Sequence, residues 1–401
     1  MTLRYSTDIV VFGGGVAGLW LLNKLHQQGY NAVLLETDAL GSGQSLASQG
    51  IIHGGLKYSL GGVLSGAAQA IAPMPGRWRQ SLRGELAPDL SAVGVLSEEY
   101  YMWSDAGIRS RLKAFFGSKG LRGRVEAVAP ADYPAFFREA TVAGQLYRLP
   151  DFVVDTCSLL AALAAPVRHA LFRIDVGSLR FQRAADGTLE TVDVACGDET
   201  VRLSARRFIF SAGRGNRQLI TAAGLTQPQT QERPLHMVYL TRSKLPDLFV
   251  HCIGDNVSLS PRLTVTAHPG PDGRCVWYLG GELAETGVDS TGEQQIRRAR
   301  ELLGELFPWA DLGDAEWKTL RIDRAEPRMN NQFRPDDAVI ICEDNAIVAW
   351  PIKLTLAPVL ADKVMAELSR AGITPGEQTE ADTLRSALPE PSLATPRWEV
   401  A

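Results

Sequence analysis

The feature that most constrains this chain is a glycine pattern near its start. Gly13, Gly15 and Gly18 form GxGxxG directly after Asp8 to Phe12 (DIVVF), a short apolar, β-branched run. They open a segment with helical spacing (Val16, Leu19, Trp20, Leu22, Leu25) that Gly29 closes. A second apolar run, Ala32 to Leu35, ends at Glu36. The glycines alone are a weak signal. Between two buried strands, with an acid closing the second, they are the fingerprint of a dinucleotide-binding βαβ unit. Gly13 permits the tight turn, Gly15 lets backbone N–H groups approach a pyrophosphate, and Gly18 allows close packing of helix on strand. The helix start, where Val16 and Ala17 stand, offers donors and partial positive charge to that anion. Glu36, followed by Thr37, is placed to accept from ribose hydroxyls and disfavours a 2′-phosphate. The motif specifies a dinucleotide and leaves NAD and FAD open.

Beyond this unit, α/β and antiparallel character alternate. Gly41 to Gly66 is rich in Gly and Ser and predicts a long functional loop. Strands are expected at Val93 to Leu96, Tyr100 to Trp103, Leu171 to Val176, Leu189 to Ala195 and Arg207 to Phe210. Asp155 caps an expected helix through Leu159, Leu160 and Leu163. His236 to Leu240, Arg262 to His268 and Cys275 to Leu279 alternate as antiparallel strands do. A helix over Glu293 to Leu306, a strand at Ala338 to Cys342 and a helix from Thr355 to Ser369 follow. From Pro375 the chain is rich in Pro, Glu, Thr and Ser, which predicts loose order. The expected class is α/β and α+β, with a discontinuous Rossmann-like domain and a second domain built on an antiparallel sheet. The first takes residues 1–75, 145–228 and 323–374, and the second takes 76–144 and 229–322, before a C-terminal tail at 375–401.

Totals narrow the partners. A length of 401 residues is too long for one core. A net charge of −4 without a long basic run excludes nucleic acid as the main partner, and the Arg- and Lys-rich stretch Arg109 to Arg124 reads as a solvated face. Five cysteines lie far apart with no CxxC pair, so no disulfide framework or zinc site is expected. There is no HExxH, GxSxG or clustered His/Cys set, and the expectation for metal is none. No apolar run reaches the ~18 residues of a membrane span and no signal peptide is visible, which predicts a cytoplasmic protein with membrane association left open.

Longer stretches carry a resemblance. TDIVVFGGGVAGLWLLNKLHQQGYNAVLLETD resembles the ADP-binding unit of FAD enzymes, and GSGQSLASQGIIHGGLKY resembles the flavin-approach segment of the D-amino-acid oxidase superfamily. Within it, IIHGGLKY is most similar to glycerol-3-phosphate and L-2-hydroxyglutarate dehydrogenases. RRFIFSAGRGN and AWPIKLTLAPVLADKVMAEL resemble the superfamily's second and C-terminal cofactor stretches. One departure is Trp350-Pro351-Ile352-Lys353, where relatives usually carry a glycine-rich run. The resemblance implies non-covalent FAD at the interface of the two domains. It places cofactor contacts at Gln44, Ser45, Ser48, Gln49, Gly50, Val176, Ala212, Gly213, Lys353, Leu354 and Thr355.

Flavin oxidation of a C–H bond needs a group to take a proton and positive charge beside the ring. His53, in the loop that the resemblance puts beside the flavin, suits a base or polar anchor. Lys353 suits a substrate carboxylate or charge at the ring. Lys57, Tyr58, Tyr239, Arg262, His268 and Arg324 are the candidate substrate contacts. Period two puts His236 and Tyr239 on opposite faces, so at most one lines the pocket. The expected function is hydride transfer from a small polar, anionic substrate, a 2-hydroxy acid or related alcohol, to FAD. The alternatives are an amine or amino-acid oxidase and a non-catalytic flavin-binding protein. The electron acceptor stays open among oxygen, a quinone and a protein.

Overall fold

The computed structural model describes residues 2–55, 70–105, 125–254, 261–329, 335–377 and 381–400. Lys57, Tyr58 and the basic stretch Arg109 to Arg124 lie outside the described residues.

The first strand, Thr2–Phe12, sits near the centre of an eight-stranded sheet. It pairs in parallel with Ala32–Glu36 on one side and Glu199–Phe210 on the other. Leu171–Arg173 extends the sheet beyond Ala32–Glu36 in parallel. Ala346–Trp350 joins the end of Glu199–Phe210, again in parallel. A sheet of this kind is covered on both faces, which explains its near-continuous apolar strands. Ile9 and Val11 pack against helices Val16–Gln27 and Ala357–Arg370, while Val10 and Phe12 pack with Phe172, Phe208, Phe210 and Leu384.

The second large sheet has the strand order Glu316–Pro327, Thr230–Arg242, Cys275–Gly280, Leu263–Pro269, Val250–Ile253, Tyr100–Asp105, Gly144–Leu149, Glu126–Ala127. All of its pairings are antiparallel except Val250–Ile253 on Tyr100–Asp105. Val238, Leu240, Val265, Trp277 and Leu279 cluster with Ala299 and Leu303 of helix Gly292–Leu306. The alternate residues Met237, Tyr239 and Tyr278 form a separate cluster on the other face. That face meets the nucleotide-binding side of the molecule, since the Tyr278 hydroxyl donates to the Ala47 carbonyl at 3.0 Å. A small three-stranded sheet, Ile51–Ile52, Phe152–Val154 and Val95–Ser97, lies between.

Helix ends follow local chemistry. The Asp155 carboxylate accepts from Cys157 and Ser158 amides, as its capping position requires, and Thr291 with Gln294 forms a capping box. Two expectations are corrected. The strand begun at Leu171 stops at Arg173, and Val176 starts a short 3-10 turn after Asp175, whose carboxylate accepts from Gly177. The segment after Pro375 is ordered where described: Asp382–Ala387 is helical and Leu384 and Leu388 are buried. The chain then pairs with Leu40, whose amide donates to Ser392 and whose carbonyl accepts from Ala394, and Trp398 seats against Tyr239, His268 and Tyr278. Three apolar anchors outweigh a polar average.

Candidate active site

The glycine turn has the shape its residues imply. Gly13 has φ +103°, and a Cβ there would lie 2.5 Å from Ala212 Cα. A Cβ on Gly18 would lie 1.9 Å from the Gly13 carbonyl oxygen, so only glycine lets the helix approach the strand this closely. The helix Val16–Gln27 begins at Gly15 with no side-chain cap and no acid in its first turn. No acid of the helix's own first turn therefore opposes an anion at these amides. The Val16 amide donates to Ser45 Oγ at 2.9 Å, and Ala17 is buried behind it. Glu36 accepts from the amides of Gly14, Thr37 and Asp38, which holds its carboxylate at the mouth of the turn. Gln44 reaches the Gly213 backbone, where a Cβ would lie 3.2 Å from its Nε2. These groups fit a nucleotide diphosphate.

Downstream, Ser48 Oγ accepts from Gly50, and a Cβ on Gly50 would meet the Val154 carbonyl at 2.2 Å. The Gln49 side chain is committed elsewhere: its amide donates to the Tyr278 carbonyl at 2.9 Å and lies near Thr264 O and Thr266 Oγ1, so it staples the loop to the second sheet. Any cofactor contact from Gln49 falls to its backbone. Val176 packs against the first sheet's core, two residues beyond the Ile174 amide that donates to the Glu36 carbonyl.

His53 is held at three points. Its amide donates to Thr355 Oγ1 at 2.9 Å, its Nδ1 lies 3.0 Å from Asp151 Oδ2, and its ring stacks on His251 at 5.9 Å and 13°. Asp151 is buried and its other oxygen accepts from the Gly54 amide at 2.8 Å. A carboxylate can only accept here, so Nδ1 bears a proton, and in the neutral imidazole Nε2 carries the lone pair. Thr355 also takes the Trp78 indole N–H on its carbonyl, which fixes the turn from Lys353 into the helix Ala357–Arg370. Gly13 and Gln44 thus meet the chain at Ala212 and Gly213, and His53 meets Thr355 by a hydrogen bond. Asp151 and His251 were not foreseen. One ligating atom from each of the two and one from His53 lie within 4.8 Å of one another, a grouping of the kind that can hold a metal ion, formed by residues far apart in the chain.

Lys353 is half-buried and precedes the 3-10 turn Leu354–Leu356. Immediately before it, Ile352 has φ +63°, a conformation costly for a β-branched residue. This is where the superfamily resemblance leads one to expect glycine. Ile352→Gly is expected to change unfolding free energy by less than ~1 kcal/mol, because ~1–2 kcal/mol of relieved strain offsets lost packing. Ile340→Gly, at a partly buried position in the strand Val339–Glu343, should cost more than ~2 kcal/mol. Chemical denaturation of both variants checks the contrast.

Four of the candidate substrate contacts have partners within the chain. Arg262 precedes the strand Leu263–Pro269, so period two does not reach it; its guanidinium makes a two-point ion pair with Glu305 at 2.8 Å. Tyr239 and His268 do face the first domain's side, but Trp398 packs on both. Arg324 lies 3.7 Å from Glu285, which balances part of its charge. His236 points the opposite way from Tyr239, toward Gly287.

Burial pushes His268 down to about 4 from its ordinary 6.5. The unfolded chain takes up this proton near 6.5 while the folded chain resists it, so this stability is full above pH 6.5 and lost as pH falls toward 4. The loss is on the order of 3 kcal/mol. His268→Gln should flatten the fall in urea midpoint between about pH 7 and pH 5 relative to the parent.

Among the described residues, no helix is long and apolar enough to cross a membrane. Comparison with known proteins agrees with the geometry. The sequence profile of the FAD dependent oxidoreductase family matches residues 8–367. A probable FAD-dependent oxidoreductase of Pseudomonas aeruginosa is 45% identical over 402 residues, covering 100% of both chains. A crystal structure of the FAD dependent oxidoreductase from that organism superposes with a TM-score of 0.84 at 42% identity, over 100% of this chain and 99% of that one. The fold is shared with glycine oxidase from Geobacillus kaustophilus, with a TM-score of 0.64 at 16% identity over 94% of this chain and 100% of that one. It is also shared with an FAD-bound L-α-glycerophosphate oxidase from Mycoplasma pneumoniae, with a TM-score of 0.63 at 14% identity over 91% and 95%. A family profile matched over residues 8–367 and a relative 45% identical along the whole chain make this protein a member of the FAD-dependent oxidoreductase family of the D-amino-acid oxidase superfamily.

Proposed function

We propose that this oxidoreductase removes a hydride from the carbinol carbon of a small anionic substrate, a 2-hydroxy acid or related alcohol. The observation that carries the reading is the His53–Asp151 pair, with Asp151 anchored by the Gly54 amide. An alcohol must lose its O–H proton as its C–H hydride departs, and a histidine whose Nδ1 proton is fixed by a carboxylate has Nε2 ready to accept it. Bound FAD supplies the hydride acceptor. The glycine turn, Val16, Glu36, Gln44 and Ser45 would hold its ADP half, and the backbone from Ser48 to Gly50 with Leu354 and Thr355 would flank its ring. Lys353 would provide positive charge beside the ring, where negative charge develops. The division into domains at 75, 144, 228, 322 and 374 belongs to this proposal. Lys353 also favours the second reading, an amine or amino-acid oxidase, in which it would bind the substrate carboxylate.

Anaerobic titration of the holoenzyme with a panel of 2-hydroxy acids and a matched panel of amino acids and secondary amines separates the two. Bleaching of the flavin band near ~450 nm by a hydroxy acid and by no amine is the expected result. The reverse pattern would assign amine oxidation.

A further inference from the structure

The loop before His53 and the antiparallel sheet hold each other by one side chain from each. Gln49 reaches from the loop: its Nε2 lies 2.9 Å from the Tyr278 carbonyl, 3.4 Å from the Thr264 carbonyl and 3.3 Å from Thr266 Oγ1. Carbonyls can only accept, so it is the amide nitrogen that faces them. Tyr278 reaches back, its hydroxyl donating to the Ala47 carbonyl at 3.0 Å. Leu263–Pro269 and Cys275–Gly280 are neighbouring strands, so one amide ties both to the loop. The sheet is shaped to receive it. Gly280 is buried at the end of its strand, and a Cβ there would lie 2.6 Å from Gln49 Oε1 and 3.1 Å from Met237 Cε. Its φ is not positive, so the backbone does not require a glycine here. A glycine in such a strand marks the close approach of another group, and that group is the Gln49 amide.

Beyond Gln49 the loop runs straight into the candidate site. The Gly50 carbonyl accepts from the Val154 amide at 3.0 Å, and a Cβ on Gly50 would lie 2.2 Å from the Val154 carbonyl. Ile51 and Ile52 then pair with Val153 and Phe152. His53 follows, bonded to Asp151, which directly precedes that strand. The chain from Gln49 to His53 is therefore held at every residue, and a shift at one end is passed to the other. We propose that Gln49 is a positioning residue: seated in the notch left by Gly280, its amide sets how far the stretch from Ser48 to His53 stands from the sheet, and with it how the flavin ring lies against that stretch. This rests on the reading that the backbone from Ser48 to Gly50 flanks the ring, and not on which substrate is oxidised.

The test is a double-mutant cycle on the oxidised holoenzyme with Gln49→Ala, Gly280→Ala and the pair. It is read by the visible circular dichroism of the bound flavin, the rate of FAD loss on dilution and the midpoint of urea unfolding. Gln49→Ala should change the flavin dichroism and speed FAD loss about tenfold, the effect of one or two lost hydrogen bonds. The methyl of Gly280→Ala first meets the movable ends of Gln49 and Met237, so it should displace the amide and act in the same direction. In the Gln49→Ala background that space is open, and the double variant should match Gln49→Ala within about twofold. Gln49→Glu keeps the length but sets acceptors against two carbonyls. It should be perturbed at least as much as Gln49→Ala, whereas a side chain that only filled the notch would leave Glu close to the parent. Additive effects of the two substitutions, or a Gln49→Glu variant indistinguishable from the parent, would overturn the assignment. Coupling in the urea midpoint with the flavin dichroism unmoved would also overturn it, and would trace the failure to where the ring lies. No arm uses a substrate, so failure of the hydroxy-acid panel is read separately from failure of this assignment.

Discussion

Asp151→Asn is expected to slow substrate-dependent flavin reduction by about 100- to 10,000-fold while FAD content stays at the parent level. The substitution changes almost no volume, and Asn can keep the acceptor that holds the Gly54 amide at 2.8 Å. It places an NH2 group against His53 Nδ1, where the carboxylate oxygen stood at 3.0 Å. Two donors cannot share that contact, so His53 must accept at Nδ1 and carry its proton on Nε2. The nitrogen proposed to take the substrate proton then has no lone pair to offer. His53→Gln should fall in the same range, and the double variant should be little worse than either, because the two residues act as one unit. Anaerobic stopped-flow at ~450 nm measures all three, and a rate for Asp151→Asn within about threefold of the parent would give the proton to another group.

That pair also shows what a sequence can and cannot reveal about such a site. The glycine turn was readable because its logic is local: Gly13, Gly15, Gly18 and Glu36 lie in one βαβ unit, and Gly13 and Gly18 answer contacts within it or at the neighbouring strand end Ser211-Ala212. His53 was readable through its segment. Asp151 was not, because an acid after Pro150 between two strands has the ordinary form of a turn residue. Only the fold brings it to a histidine 98 positions away. His251 was hidden because its own short strand, Val250–Ile253, carries little local signal, although the strands on either side of it were expected. Arg262 stands just before the strand Leu263–Pro269, and its ion pair with Glu305, 43 positions away, had no local signal. Trp350-Pro351-Ile352-Lys353 departs from a glycine-rich run in sequence only, since Ile352 keeps the left-handed turn that glycine would have supplied.

Removing the C-terminal segment is expected to be as damaging as removing a core helix. Its composition argues for looseness, but Leu384 is fully buried and Leu388 is 4% exposed within the cluster of Phe12, Phe172 and Leu189. Leu384→Ala alone should cost roughly 2–5 kcal/mol in chemical denaturation. Leu393→Ala, at a side chain 45% exposed, should stay within about 0.5 kcal/mol. A chain ending at Glu377 loses Leu384, Leu388 and Trp398 together. Their combined burial approaches the roughly 5–15 kcal/mol by which a folded protein exceeds its unfolded state. Such a chain should be recovered aggregated and free of flavin. The segment also spans the molecule: it donates and accepts at Leu40, beside the glycine turn, and ends with Trp398 on the second sheet. Trp398→Ala should therefore leave the first sheet's core intact and act on how firmly the second sheet is held across the cofactor, read as faster loss of FAD on dilution with a small change in denaturation midpoint. A truncated chain that folds and stays yellow would show that these contacts decorate the fold and do not hold it.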